Sequence, residues 1–394
     1  MKALNIKLAT FSFAALLLAS CSDSNNDNGT KGSSIMNPKI VGSTVVSTTD
    51  AQTLATQVIN YKKKAASTTK ATRTIDDSNS SIFEGVIKMP TEPTVPADAV
   101  DLATLTDKSN EMHSGGVYVL KSGNMSTDGM NVAGTTIYVC SGATLTWNAY
   151  LENNTPKVIV LSGGKIIDTY NNVGKCCNAD VYGSIEFSQD RIDINHTFRT
   201  SKNLNVAGKY LAISGKAYFG GNVTTKNLYP GGSTTNIKGD LQLEENEGLK
   251  LDAVSEVPAK MNVDGKITAK TLELTNGSIL YSGCGAVING EVKISDNTAL
   301  HAKYLECSKF TQSSGASLIL SDQSYINCSG EFASNNNDTS FSILEGDGAK
   351  AVVKADKFFF NNGAPETDDA GETYFLVDMF STPGKNNPQI VADG

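Results

Sequence analysis

The segment Gln189-Asp190-Arg191-Ile192-Asp193-Ile194-Asn195-His196-Thr197-Phe198-Arg199 gathers two acids, two arginines and a histidine within a short span. Those residue types could protonate a glycosidic bond or hold a uronate. Glycoside hydrolysis requires two carboxyl groups about 5 to 9 Å apart, one to protonate the leaving oxygen and one to serve as base or nucleophile. This segment offers only Asp190 and Asp193, with Arg191 between them. In a strand, Arg191, Asp193 and Asn195 share one face and Ile192 and Ile194 the other, the pattern of a wet surface over an apolar interior. No catalytic residue is assigned here. Asp76-Asp77-Ser78-Asn79, Asn335 to Asp338 and Asp368-Asp369-Ala370-Gly371-Glu372 lack the alternating ligands and terminal Glu of a calcium loop. No Cys and His set has zinc spacing, and no phosphate-binding loop or hydrolase nucleophile signature occurs. The expectation is no metal, no cofactor and, more simply than an enzyme, a binding or structural protein.

Binding to glycans would call on exposed aromatic rings, for which Trp147, Tyr150, Tyr170, Tyr218 and Tyr229 are the candidates. The chain carries 33 basic and 41 acidic side chains, a net charge of -8. A diffuse acidic balance argues against nucleic acid or anionic lipid headgroups as partners, because both require clustered Lys and Arg. The one basic run, Lys62-Lys63-Lys64, reads as the solvated end of a short helix from Asp50 to Lys64.

From Gly115 onward, short runs alternate apolar and polar residues and are rich in Val, Ile, Thr and Tyr, which is the signature of strands. One phrase recurs: a strand, a turn with Gly or Asn, a small residue, then a second strand. It appears as Ile137 to Leu145, Val158 to Ile166 and Leu272 to Leu280, and more loosely as Val292 to Leu300 and Phe310 to Leu318. A second phrase, apolar-x-Gly-x-apolar, centres on Gly183, Gly239, Gly265 and Gly290, with Gly208 fitting after one insertion; successive glycines are 25, 31, 26 and 25 residues apart. Such periods mark stacked repeats, in which each unit buries its apolar face only against its neighbours. The pattern predicts an all-β fold, a parallel β-helix of about ten to twelve coils whose corners turn at Gly or Asn in positive φ. The irregular periods leave an irregular β-sandwich as the alternative.

In coil length and strand alternation the region resembles right-handed parallel β-helices, many of which are secreted polysaccharide lyases and glycosidases. That resemblance implies an alternative function as a polysaccharide lyase or glycosidase. The acid clusters of those enzymes do not carry over onto Asp190 and Asp193.

The amino terminus reads Met1-Lys2-Ala3-Leu4-Asn5-Ile6-Lys7, then a mostly apolar run to Ala19, then Ser20-Cys21. The run is too short to span a bilayer and matches a secretory signal. Leu18-Ala19-Ser20-Cys21 resembles the lipobox of bacterial lipoproteins, which implies cleavage before Cys21 and acylation of its sulfur, so Cys21 is the lipidation site. Ser22-Asp23-Ser24-Asn25-Asn26-Asp27-Asn28-Gly29 has nothing apolar to bury and reads as a tether. It is also similar to the acidic surface-export signals of some Gram-negative lipoproteins, which implies an outer-membrane, cell-surface location; the periplasm-facing leaflet is the alternative. The expected organisation is a signal peptide at 1–20, a lipidated flexible tether at 21–81, and an N-terminal cap at 82–114 in which Pro96 opens a short helix. Parallel β-helix repeats follow at 115–340 and a C-terminal cap at 341–394. The whole resembles a cell-surface, adhesin-type lipoprotein, whose partners would be the membrane, through its anchor, and glycans or cell-surface proteins.

Leu305-Glu306-Cys307 and Ile326-Asn327-Cys328 match, and the cysteines are 21 residues apart, one coil. Both are expected to point inward on adjacent coils, about 5 Å apart in backbone, stacked as small apolar groups rather than bridged.

Overall fold

The computed structural model describes residues 87–149, 154–170, 172–313 and 315–334, with the strands Phe341–Ile343, Lys350–Ala355, Lys357–Phe360, Thr373–Met379 and Asn386–Ala392. Cys21, the tether and the acidic clusters at Asp76, Asn335 and Asp368 lie outside the described residues. The fold is nearly all-β, a parallel β-solenoid of about 12 turns. It comprises two compact units, one ending at Gly283 and the other beginning at Cys284. No helix among the described residues is long and apolar enough to cross a membrane.

In the first unit each coil begins with a strand of sheet A, from Val117–Leu120 through Thr136–Val139, Lys157–Val160, Asn178–Val181, Thr197–Thr200, Lys216–Phe219, Thr234–Ile237 and Lys260–Val263 to Ile279–Ser282, all in parallel register. Sheet B takes the next strand of each coil, beginning Gly123–Ser126, Ala143–Trp147, Lys165–Asp168 and Ser184–Phe187. Sheet C opens only at Arg191–Ile194, and the kinked strands Leu204–Ile213 and Val223–Pro230 then serve both B and C. Equivalent positions recur after 18 to 22 residues, with one coil of 26.

Inward columns hold the coils together. Phe198 stands between Ala179 and Ala217, so a large ring is flanked by small side chains and the column fills without overlap. Its ring lies 6.3 Å from Phe187 and 6.0 Å from Phe219. Full burial of each such side chain contributes about 1.5–3 kcal/mol.

Strand alternation fails at the first coils of sheet A, where Val119, Tyr138 and Ile159 face outward yet are buried. A strap explains it. Met89, Val95 and Ala99 pack on these residues and on Tyr182. The Tyr182 hydroxyl donates to the carbonyls of Pro90 and Thr91 at 3.1 and 3.2 Å. Ser162 donates through its amide and its hydroxyl to Glu92, both at 2.6 Å, and these bonds hold the Glu92 carboxyl below its ordinary range. Prolines 90, 93 and 96 suit an extended strap that pairs with no sheet. The helix expected at Pro96 is absent: a single turn, Ala99 N–H to Pro96 carbonyl, leads into the strand Val100–Asp101, which pairs with Tyr118 and Val119. Sheet pairing satisfies the backbone there without a helix.

The corners separate two roles that the glycine phrases combine. Gly163 turns with φ +82, as expected. Gly183, Gly239 and Gly265 have ordinary φ and are required by close approach; a Cβ on Gly265 would lie 2.4 Å from the Gly239 carbonyl oxygen. Beside them runs a ladder: the side-chain oxygens of Asn203, Asn222 and Asp240 accept from the backbone N–H of Asn222, Asp240 and Lys266 in turn, at 2.8 to 2.9 Å. Gly183, Gly239 and Gly265 sit between sheets A and B, whereas Gly208 follows sheet B. The uneven glycine spacing therefore mixes two corners, while the coil period itself is regular.

In the second unit the parallel register continues through Ala299–Cys307, Ser317–Cys328 and Glu331–Ser334 to Lys357–Phe360. Phe310 and Phe332 stack with centroids 4.5 Å apart. Cys307 pairs in register with Cys328, both are buried, and both are free thiols, as expected. Antiparallel strands Thr373–Met379 and Asn386–Ala392 then add to Lys350–Ala355.

Candidate functional site

The segment 189–199 does not form one cluster, because the chain turns a corner inside it. Arg191 and Asp193 stand on the outer face of sheet C, with Ile192 and Ile194 fully buried beneath. The Arg191 Nε donates to Asp193 Oδ1 at 2.9 Å. Asp190 is exposed at the preceding corner. The register neighbour of Asp193 on the following coil is Ala212, so that coil places no carboxylate beside it. Arg199 belongs to sheet A, where it grips the buried Asp180 through Nε at 2.6 Å and Nη2 at 3.2 Å, with Lys157 at 3.2 Å. A buried carboxylate held by two cations is a structural ion pair whose partners offset its desolvation. Among the described residues no group of three or more His, Cys, Asp or Glu is placed to hold a metal ion.

The aromatic candidates sort by face. Trp147 is fully buried, which removes it as a surface ring. Its place two residues after the inward Leu145 already implied this. Tyr150 lies outside the described residues. Tyr170 is exposed in the loop after Lys165–Asp168, and Tyr218 is partly buried on sheet A, where burial, and next the Asp264 charge, raise its hydroxyl's pKa. Tyr229, 47 % exposed, stands on the outer face of sheet C.

Around Tyr229 the fold assembles residues that the sequence scan missed. Asn227, two residues earlier on the same face, is buried; its Nδ2 donates to the Tyr229 hydroxyl at 3.3 Å and to Glu247 at 2.6 Å. Tyr210 is the register neighbour of Asn227 on the preceding coil. Lys226 stands 4.7 Å from the Tyr210 ring centre, and its ammonium pKa is raised, first by the hydrogen bond with the Tyr210 hydroxyl. On the other side lies an insertion that lengthens its coil to 26 residues. Val254 and Val257 exchange backbone hydrogen bonds at 3.0 Å across a tight turn at Ser255 and Glu256, both in positive φ. This hairpin rests on Gly231, where a Cβ would come within 2.7 Å of Val254 Cγ2. Val254 and Val257 are 48 % and 54 % exposed. Tyr229, Val254 and Val257 thus form an apolar ridge beside a polar group made of Asn227, Glu247, Tyr210 and Lys226. The bulge between Val206 and Tyr210 and the hairpin insertion both break the period, so no regular spacing in the sequence reveals this grouping.

No known protein family matches the chain, and neither a curated protein nor a solved structure shows significant similarity to it.

Proposed function

We propose that the chain is a lipid-anchored cell-surface protein that presents a β-solenoid for adhesion or structural interaction with glycans or other surface components. The observation that carries this reading is the amphipathic patch around Tyr229, since exposed apolar side chains ringed by polar groups mark interaction sites. The lipobox-like Leu18 to Cys21 and the polar tract after it supply the anchor and the tether. Two or three acyl chains attach a protein without a spanning helix, at about 0.8 kcal/mol for each buried methylene.

Two experiments test the parts separately. Cys21→Ala should abolish metabolic labelling with palmitate and release the protein or leave it unprocessed. Protease treatment of intact cells should remove the wild-type protein, and a lipidated protein that stays fully protected would place it on the periplasmic side. Incubation with pectins, glycosaminoglycans and host glycans, assayed for binding and for product release, distinguishes adhesion from the alternative of a polysaccharide lyase or glycosidase. Turnover lost on Asp190→Asn or Asp193→Asn would favour the enzyme.

A further inference from the structure

We propose that the patch on sheet C is a subsite for one ring of a neutral glycan, with Tyr229 as its stacking platform; this rests on the glycan-adhesion reading above. A pyranose ring has one face of C–H groups and a rim of hydroxyls. The patch has the same division. The Tyr229 ring with Val254 and Val257 offers apolar surface, and the Tyr229 hydroxyl, Asn227 and Glu247 lie along one side of it.

The polar side is preorganised. The Tyr229 hydroxyl accepts from Asn227 Nδ2, so its own proton remains to be donated to a sugar oxygen. The same amide nitrogen donates to Glu247, fixing a carboxylate that can accept from sugar hydroxyls. Asn227 is 5 % exposed, and its Oδ1 accepts no hydrogen bond; a buried amide oxygen without a donor costs about 1–3 kcal/mol, and a ligand hydroxyl would supply that donor. A ring already held in its binding rotamer loses little entropy when a ligand arrives.

The charges argue for a neutral ligand. Arg191 is paired with Asp193 at 2.9 Å, Lys250 lies between Asp252 and Glu273 at 3.7 and 3.5 Å, and Lys226 is engaged with Tyr210. Each cation near Tyr229 thus already has a partner on the protein, whereas polyanion sites need clustered cations. The patch therefore favours hexose or pentose polymers over uronates or sulfated chains.

The test is a binding titration of the full chain in detergent with neutral oligosaccharides (gluco-, manno-, galacto- and xylo-series), using oligogalacturonate and heparin as anionic probes. Binding of at least one neutral series, unchanged between low and high salt, is expected. Tyr229→Ala should weaken it about tenfold or more, about 1.4 kcal/mol. Tyr229→Phe should weaken it less than the alanine variant, because the ring remains. Glu247→Gln should weaken it severalfold, and Tyr170→Ala should leave it unchanged. Tyr229 is half exposed, so its variants are expected to fold, and circular dichroism checks this. Neutral binding that ignores Tyr229→Ala would overturn this subsite while leaving the adhesion reading intact. Salt-sensitive binding of the anionic probes alone would overturn the neutral-ligand assignment. Binding of none of the probes would overturn the subsite and the glycan part of the adhesion reading together.

Discussion

His301 lies on Ala299–Cys307, between the buried Leu300 and Ala302, and is itself only 6 % exposed. Burial lowers its pKa from 6.5 to about 4. The unfolded chain therefore binds a proton between those values that the folded chain refuses. The folded pKa is depressed, so the neutral imidazole's contribution is fully present above the unfolded pKa and is lost as pH falls toward the folded one. At 1.36 kcal/mol per pKa unit, the loss reaches about 2.5 kcal/mol at pH 4.5 and about 3 kcal/mol below pH 4. His301→Gln keeps a polar, neutral side chain that does not titrate. Solenoids open locally, so the assay is hydrogen exchange of the amides in Ala299–Cys307 at pH 7 and pH 4.5, corrected for intrinsic exchange rates. The wild type should lose protection on acidification by about 2.5 kcal/mol more than the variant, a difference that cancels the titration of the carboxylates. Equal pH dependence in the two proteins would show that His301 is not buried neutral.

Gly239→Ala should destabilise the first unit by more than Asn222→Ala, read by urea denaturation. The alanine at 222 loses one exposed hydrogen bond, about 0.5–1.5 kcal/mol, whereas a Cβ at 239 meets the Asn222 amide nitrogen at 2.6 Å. The double variant should not recover, because that contact is with backbone. Cys307 and Cys328 should stay unalkylated by iodoacetamide in the folded chain and appear as two thiols in a non-reducing digest; a bridged peptide pair would refute stacking without a bond. Burial and the neighbouring Cys328 raise the Cys307 thiol's pKa, which suppresses the reactive thiolate. Tyr182→Phe should lower thermal stability by about 1 kcal/mol through the lost strap hydrogen bonds and leave any glycan affinity unchanged; altered affinity would place the binding face on sheet A.

The solenoid was legible because its inward columns demand a side-chain choice at every coil. Apolar alternation and a small residue at each corner are each enforced by a neighbour in register. The pairing of Cys307 with Cys328 followed from the same constraint, since a strand shifted by one residue would turn both outward. The strap was only half legible: Val117-Tyr118-Val119-Leu120 and Val158-Ile159-Val160 are apolar on both faces, which signals a cover, but nothing in the sequence says that Met89 and Val95 supply it. The patch on sheet C was not legible. Its members come from different coils, and outward positions carry no packing constraint that would repeat from coil to coil. Only Tyr229 was marked by residue type alone.

That difference bears on where a partner would act in the first unit. Sheet A's outer face is engaged by the chain itself: the strap covers its first coils, and further along Asp180 is held by Arg199 and Lys157, while Asn262 donates to Asn236 at 2.8 Å. Displacing any of these would expose apolar area or leave a buried carboxylate unpaired, at a cost of several kcal/mol. Sheet C carries outward Tyr229 on a strand whose inner residues are fully packed, next to a hairpin whose valines are half in solvent. A ligand there gains contact without breaking any interaction of the coil beneath. The lengthened coil makes this possible, because the extra residues at 252–258 leave the register of Thr234–Ile237 with Lys260–Val263 unbroken. An insertion at a corner thus lets the surface vary while the ladder stays fixed, and the energetics place a partner on the face where that insertion occurs.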